Sequence, residues 1–268
     1  MSSKWSRMPT TSAKPRRLGF VLAAGGAAAV LAVAVAAPFI APSRPMDASM
    51  CPVSGAIAGH TILLVDATDA YDAGQIARLR AAATAAIGDV PKGGRLTLMT
   101  VDADNPWQPR EVFSLCNPGD GSGAMGIVVT PSVLRAQWKH RFVDRVEQQA
   151  QALAAAPTAE HSPLLESVAA LVGRRDFGAD TPNRRLIYVT DGIENEPGYS
   201  QYGLNDPKRA YERSPLASQI DADFSGVKVE LEYLRRPSAG TVQGSVHKAF
   251  WRWFFRQHGA KDVTIRGA

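Results

Sequence analysis

Leu186–Asp191 reads LIYVTD with Gly192 next, and His60–Asp66 reads HTILLVD. Each is a short unbroken apolar run that stops at an aspartate. A strand covered by helices on both faces looks like this, because neither face meets water. Between the two runs, Ile76, Leu79, Ala83 and Ile87 recur at helical spacing, with Gly88 as a stop signal. Arg95–Val101 (RLTLMTV) reads as a second strand and Arg110–Cys116 (REVFSLC) as a third. The connection between these two is too short for a crossover, so the third strand is expected to return antiparallel.

Further along, Thr130-Pro131 is a helix-start signal, a capping residue followed by a first-turn proline. The helix it opens carries Leu134, Trp138, Phe142, Val146 and Leu153 on one side. Ser162-Pro163 repeats the signal ahead of Leu164, Leu165, Val168 and Leu171. Val227–Tyr233 alternates apolar and charged residues, which predicts a strand with one wet face. Residues 243–258 read as a last helix and Val263–Arg266 as a short sixth strand. There is no internal repeat. Strands alternating with helices predict an α/β fold, a doubly wound, mostly parallel sheet of about six strands with one short antiparallel strand. In such sheets the sites lie at the carboxyl ends of the strands, where Asp66 and Asp191 stand.

Charge and hydropathy divide the chain. Of 268 residues, 30 are Lys or Arg and 25 are Asp or Glu, giving +5. Lys4, Arg7, Lys14, Arg16 and Arg17 account for that excess, and no acid precedes Asp47. The remainder is balanced, so a folded nucleic-acid-binding surface is not expected. Leu18–Ala41 is uncharged and mostly Ala, Val and Leu. A bilayer core takes roughly 20 apolar residues. Residues 1–17 thus read as a basic cytoplasmic tail, 18–41 as a transmembrane helix or signal anchor, 42–58 as a linker and 59–268 as the folded domain. The positive-inside rule then places the domain outside the cytoplasmic membrane, in the periplasm or its equivalent. The alternative is a cleaved signal peptide, for which Ala34-Val35-Ala36 supplies a small-x-small site and which yields a secreted or periplasmic domain. In either case the compartment is oxidising, and Cys51 and Cys116 are expected to pair as a disulfide.

The two strand-end acids have local settings that suit a hard cation. Asp66-Ala67-Thr68-Asp69-Ala70 offers an acid and then a hydroxyl two residues on, and Thr190-Asp191-Gly192 offers a second acid. Oxygen donors of this kind fit Mg²⁺ or Mn²⁺. The plainer alternative gives both aspartates turn and cap duty.

On these residues the chain resembles the von Willebrand factor A-type (vWA) domain over about residues 58–266. That family is a doubly wound α/β fold with a short antiparallel third strand. Its metal-ion-dependent adhesion site reads Asp-x-Ser-x-Ser after the first strand, with a Thr opening a mid-domain helix and an Asp after the fourth strand. The resemblance implies metal-holding roles for Asp66, Thr68, Ser162 and Asp191. Ala70 departs from it, because the family has a serine there, so the site is degenerate. The implied activity is binding of a protein partner in the cell envelope, whose carboxylate completes the ion's shell, and not catalysis.

Other motifs carry less. Gly121-Ser122-Gly123-Ala124-Met125-Gly126 has the letters of a dinucleotide fingerprint, but no helix opens within it, so nucleotide binding is not expected. Thr68 stands where an aspartyl phosphotransfer site needs a second carboxylate. Ser245-x-x-Lys248 lies inside the last helix without supporting motifs. The five histidines are scattered and read as satisfied or exposed. Asp102 and Asp104 read as turn residues. In the last helix, Phe250, Trp253 and Phe254 share a face that packs on the sheet. Trp251 and Phe255 share another, which reads either as core or as an exposed patch for a partner. Two rivals to metal-assisted partner binding remain. One is a metal-independent envelope scaffold acting through that aromatic helix, and the other is a metal-dependent envelope hydrolase.

Overall fold

The computed structural model describes residues 46–53, 56–122 and 130–267. The expected tail at 1–17, the apolar stretch at 18–41 and Gly123–Gly126 of the glycine loop lie outside them. Among the described residues, no helix is long and apolar enough to cross a membrane.

The chain runs β1 (His60–Val65), α1 (Ala73–Asp89), β2 (Arg95–Thr100), β3 (Arg110–Cys116), α2 (Pro131–Trp138), a wider turn at Lys139–Val143 and α3 (Asp144–Leu153). It continues through α4 (Leu164–Val172), β4 (Arg184–Thr190), a hairpin of β5 (Asn195–Glu196) and β6 (Tyr199–Ser200), and α5 (Pro207–Glu212). It ends with β7 (Val227–Tyr233), α6 (Ser245–Gln257) and β8 (Asp262–Arg266). The main sheet has six strands in the order β3-β2-β1-β4-β7-β8. All its neighbours are parallel except β2 and β3, which pair antiparallel. The architecture expected from the sequence is therefore present, including the reversed third strand.

Because successive strand residues face opposite ways, each central strand feeds two cores. Ile62 and Leu64 of β1 join Leu165 and Val168 of α4 and Phe250, Trp251 and Phe254 of α6. Leu63 and Val65 join Leu79 and Ala83 of α1 with Phe142 and Val146. Full burial of each such side chain stabilises by about 1.5–3 kcal/mol, so both faces of the sheet are anchored. Helix α1 opens on a reciprocal cap. Asp72 Oδ1 accepts from the Gln75 N–H at 2.8 Å, and Gln75 Oε1 accepts from the Asp72 N–H at 2.9 Å.

Cys51 and Cys116 form a disulfide with Cα atoms 4.8 Å apart. Part of the stretch read as linker is therefore docked on the edge strand, where the Cys116 N–H also donates to the Ser49 carbonyl at 2.9 Å.

The structure changes two expectations. The charged side of β7 is not simply wet, because the Glu230 side chain is fully buried. Arg185 binds it with two bonds of 2.8 Å, and Lys228 and Arg266 close over it. Burial alone would raise this carboxyl, but the hydrogen bonds from Arg185, Arg266 and Lys228 pull it down to about 2.

The second change concerns α6. Trp251 and Phe255 are both 0% exposed and form no partner-binding patch. The reasons are the sheet itself, which receives Trp251, and the segment between β4 and β7, which carries the small hairpin and α5. From that segment Tyr211 packs edge-on against Phe250 and Phe254, Phe224 packs edge-on against Phe255, and Tyr199 lies tilted over Phe250, while Trp251 packs edge-on against Tyr188 of β4.

Candidate functional site

Strands β1 and β4 lie side by side and parallel, with Val65 opposite Val189. Their carboxyl ends therefore deliver Asp66 and Asp191 to one place. The Asp66 N–H extends the ladder by donating to the Val189 carbonyl at 2.9 Å. All four residues singled out by the resemblance are near or below the surface, with exposures of 2% for Asp66, 3% for Thr68, 9% for Ser162 and 3% for Asp191.

Asp66 holds the centre of a hydroxyl network. Its Oδ1 accepts from the Thr68 hydroxyl at 2.6 Å and the Thr68 N–H at 3.1 Å. Its Oδ2 accepts from the Thr190 hydroxyl at 2.7 Å, and that hydroxyl accepts in turn from the Gly192 N–H at 2.8 Å. Thr68 and Ser162 share a hydrogen bond of 2.8 Å between hydroxyls. Tyr71 closes the turn from the side, donating to the Asp66 carbonyl at 2.6 Å.

Ser162 is not the cap of α4. A pair of backbone bonds to Asn195 fixes it, and Glu194 takes the capping role. The Glu194 carboxylate accepts from the Leu164 and Leu165 N–H groups at 2.9 and 2.7 Å. Burial and the neighbouring Glu166 push the Glu194 carboxyl well up.

Asp191 turns one oxygen to its own loop, where Oδ1 accepts from the Ile193 N–H at 2.8 Å. The other oxygen, Oδ2, forms a close ion pair with Nε of Arg236. The same guanidinium reaches Asp69, with Nη2 to Oδ2 at 2.9 Å. Burial and then Asp66 push the Asp191 carboxyl up to about 7, against the pull of Arg236. Gln243 locks the loops together: its amide donates to the carbonyls of Asp191 (2.9 Å) and Leu234 (2.8 Å), and its oxygen accepts from the Arg236 N–H at 2.7 Å.

Gly192 has φ +76°, a left-handed conformation suited to glycine. Its carbonyl accepts from Trp251 Nε1 at 2.8 Å, so the aromatic helix supports the site from beneath. His247 lies beside this loop, but both ring nitrogens are committed, to Tyr233 at 2.6 Å and Gln201 at 2.9 Å. Burial holds it neutral, with its pKa lowered to about 4.

The four residues singled out by the resemblance thus lie at one end of the sheet, and each aspartate also performs the turn duty of the plainer reading. The arrangement nonetheless does not fit Mg²⁺ or Mn²⁺. Both oxygens of Asp66 are occupied by hydroxyl and amide donors. The outer oxygen of Asp191 faces a guanidinium. Ala70 offers no side-chain donor. Thr190, Glu194, Arg236 and Gln243 were missed from sequence. Arg236 was within reach of the rule that found the acids, since it stands just past the carboxyl end of a predicted strand.

Among solved structures, the chain is similar to the ArnB paralog VWA2 from Sulfolobus acidocaldarius, with TM-score 0.41 and 11% identity over 81% of this chain. It spans 44% of the length of that protein. It is also similar to the VWA domain of SpRpn10, with TM-score 0.34 and 13% identity, covering 78% of this chain and 87% of that one. No protein-family model and no curated protein matches the chain. The vWA-like character of the fold rests on its own geometry: the strand order, the reversed third strand, and the meeting of Asp66, Thr68, Ser162 and Asp191 at the carboxyl ends of β1 and β4.

Proposed function

We propose that this chain is a vWA-like binding domain that docks a protein partner on the face formed by the carboxyl ends of its strands. The observation that carries this reading is the joining of Asp66, Thr68 and Ser162 in one hydrogen-bonded network at that face, with Asp191 delivered to the same end of the sheet by the adjacent strand β4. An enzymatic reading is less well supported, because the histidine beside the site is buried with both nitrogens in use. The aromatic-helix scaffold loses its surface, because Trp251 and Phe255 are core. Display outside the cytoplasmic membrane, by an anchor at 18–41 or after cleavage near Ala36, belongs to the same proposal. The Cys51–Cys116 bridge supports an oxidising compartment.

Tyr202 is a suitable reporter. It is 52% exposed and lies within the electrostatic reach of Asp66, Asp69, Asp191 and Arg236. A photo-crosslinking residue at Tyr202 should trap a defined protein in the envelope of the native host, and Asp191→Asn should abolish the adduct. The same probe at Lys92, exposed at the opposite end of the strands, should trap nothing specific. An identical adduct from both positions, or an adduct indifferent to Asp191→Asn, would sink the proposal.

A further inference from the structure

The guanidinium of Arg236 sits between carboxylates that arrive from different strands, Asp69 from the loop after β1 and Asp191 from the loop after β4. Its position is built into the fold. Thr190 pairs with Tyr233 in the sheet, and the Leu234 N–H continues the ladder by donating to the Thr190 carbonyl at 2.8 Å. Two residues later the chain is over Asp191. Gln243 holds the Arg236 N–H there. Pro237 follows, and Arg236 is extended (φ −113°, ψ 121°), as a residue before proline prefers to be. The side chain is only 15% exposed. It is a planar, permanently charged group with its Nε edge toward a buried acid and one terminal nitrogen on a half-exposed one.

We propose that Arg236 is the resident cation of this site, standing where a divalent ion would otherwise be held, so that the site is complete without metal. The proposal uses the vWA-like reading only to locate the site. A divalent ion reaching Asp191 would have to displace a guanidinium already paired with it, or sit within a few ångströms of a fixed positive charge. Either route opposes binding strongly in a partly buried place. The loss of a hydroxyl at position 70 is consistent with this, since a guanidinium needs carboxylate edges and not a full oxygen shell.

Mn²⁺ uptake by the full chain in detergent, followed by the electron paramagnetic resonance of the free ion, tests this without a known partner. The wild-type chain should take up no stoichiometric Mn²⁺ at millimolar ion. Arg236→Gln, which removes the charge, should bind one ion at least about tenfold more tightly, and adding Asp191→Asn should remove that gain. Arg236→Lys keeps a cation and should refuse Mn²⁺ as the wild type does. Stoichiometric Mn²⁺ binding by the wild type would by itself overturn the proposal, whether or not a variant folds. That result would leave the docking proposal standing, because the crosslink from Tyr202 does not depend on which cation is present.

Discussion

Replacing Trp251 by Phe separates support of the site from contact with a partner. Trp251 is 0% exposed, and its Nε1–H is the donor to the Gly192 carbonyl at 2.8 Å. Phenylalanine keeps an aromatic ring in the core but has no donor. A buried carbonyl left without its partner costs about 1–3 kcal/mol. The smaller ring also leaves a void of roughly 40 Å³, which at about 24 cal/mol per Å³ adds ~1 kcal/mol. The expected loss is therefore about 2–4 kcal/mol. At roughly 2–4 °C per kcal/mol for a domain of this size, the melting temperature should fall by about 4–16 °C. Urea unfolding followed by near-ultraviolet circular dichroism, at fixed pH and with the disulfide intact, measures the loss directly. A loss below about 1 kcal/mol would refute the assignment of Trp251 as the brace of the Asp191 loop. A normal melt combined with a lost partner crosslink would restore Trp251 to the surface role that its burial denies.

Three further outcomes follow from the same structure. Gly192→Ala should destabilise the fold, because the added methyl would lie 2.7 Å from Trp251 Nε1 on a backbone at φ +76°, and a melt no lower than wild type would contradict the loop geometry. Stability should fall as pH drops from about 4.5 towards 2. Glu230 has its pKa lowered in the folded state, so its contribution is complete above the unfolded value and lost as the folded group protonates. With Lys228 and Arg266 half-exposed, that contribution is about 1–3 kcal/mol, and urea melts of Glu230→Gln should show a flatter acid limb. Reduction of Cys51–Cys116 opens a loop with a sequence separation of 65, so the reduced chain should lose about 4 kcal/mol on the chain-entropy model, and equal melts with and without reductant would contradict this.

The parts of the fold that could be read in advance were those in which burial leaves a one-dimensional trace. A strand covered on both faces must be apolar throughout, so HTILLVD and LIYVTD declare themselves and fix the sheet's centre. The short Arg95–Cys116 connection allows only a hairpin-like return, so β3's direction was also legible. The segment between β4 and β7 had no such trace. Its strands are two residues each and α5 has six, too short for periodicity to register. Yet it covers α6 with Tyr199, Tyr211 and Phe224. Without that cover, a helix carrying five aromatics within six positions has more apolar surface than one sheet can bury, and Trp251 and Phe255 read as a spare face.

The site divides along the same line. Asp66 and Asp191 were found because each terminates its own apolar run, and chain position alone placed them at one end of the sheet. Arg236 ends no such run: the alternation in β7 masks the burial of Glu230, which is enclosed by arginines and a lysine rather than by water. Read as a strand with one wet face, β7 gave no sign that it borders β4. Placed next to β4, it sends Arg236 straight onto Asp191. In this chain the charge that meets Asp191 is therefore set by the residue that follows the neighbouring strand, which lies outside the motif. A degenerate adhesion motif with one hydroxyl missing does not by itself signify a dead site. It can equally mark a site whose cation arrives on the chain's own loop after β7, and the test is to ask which charged residue follows the strand beside the second acid.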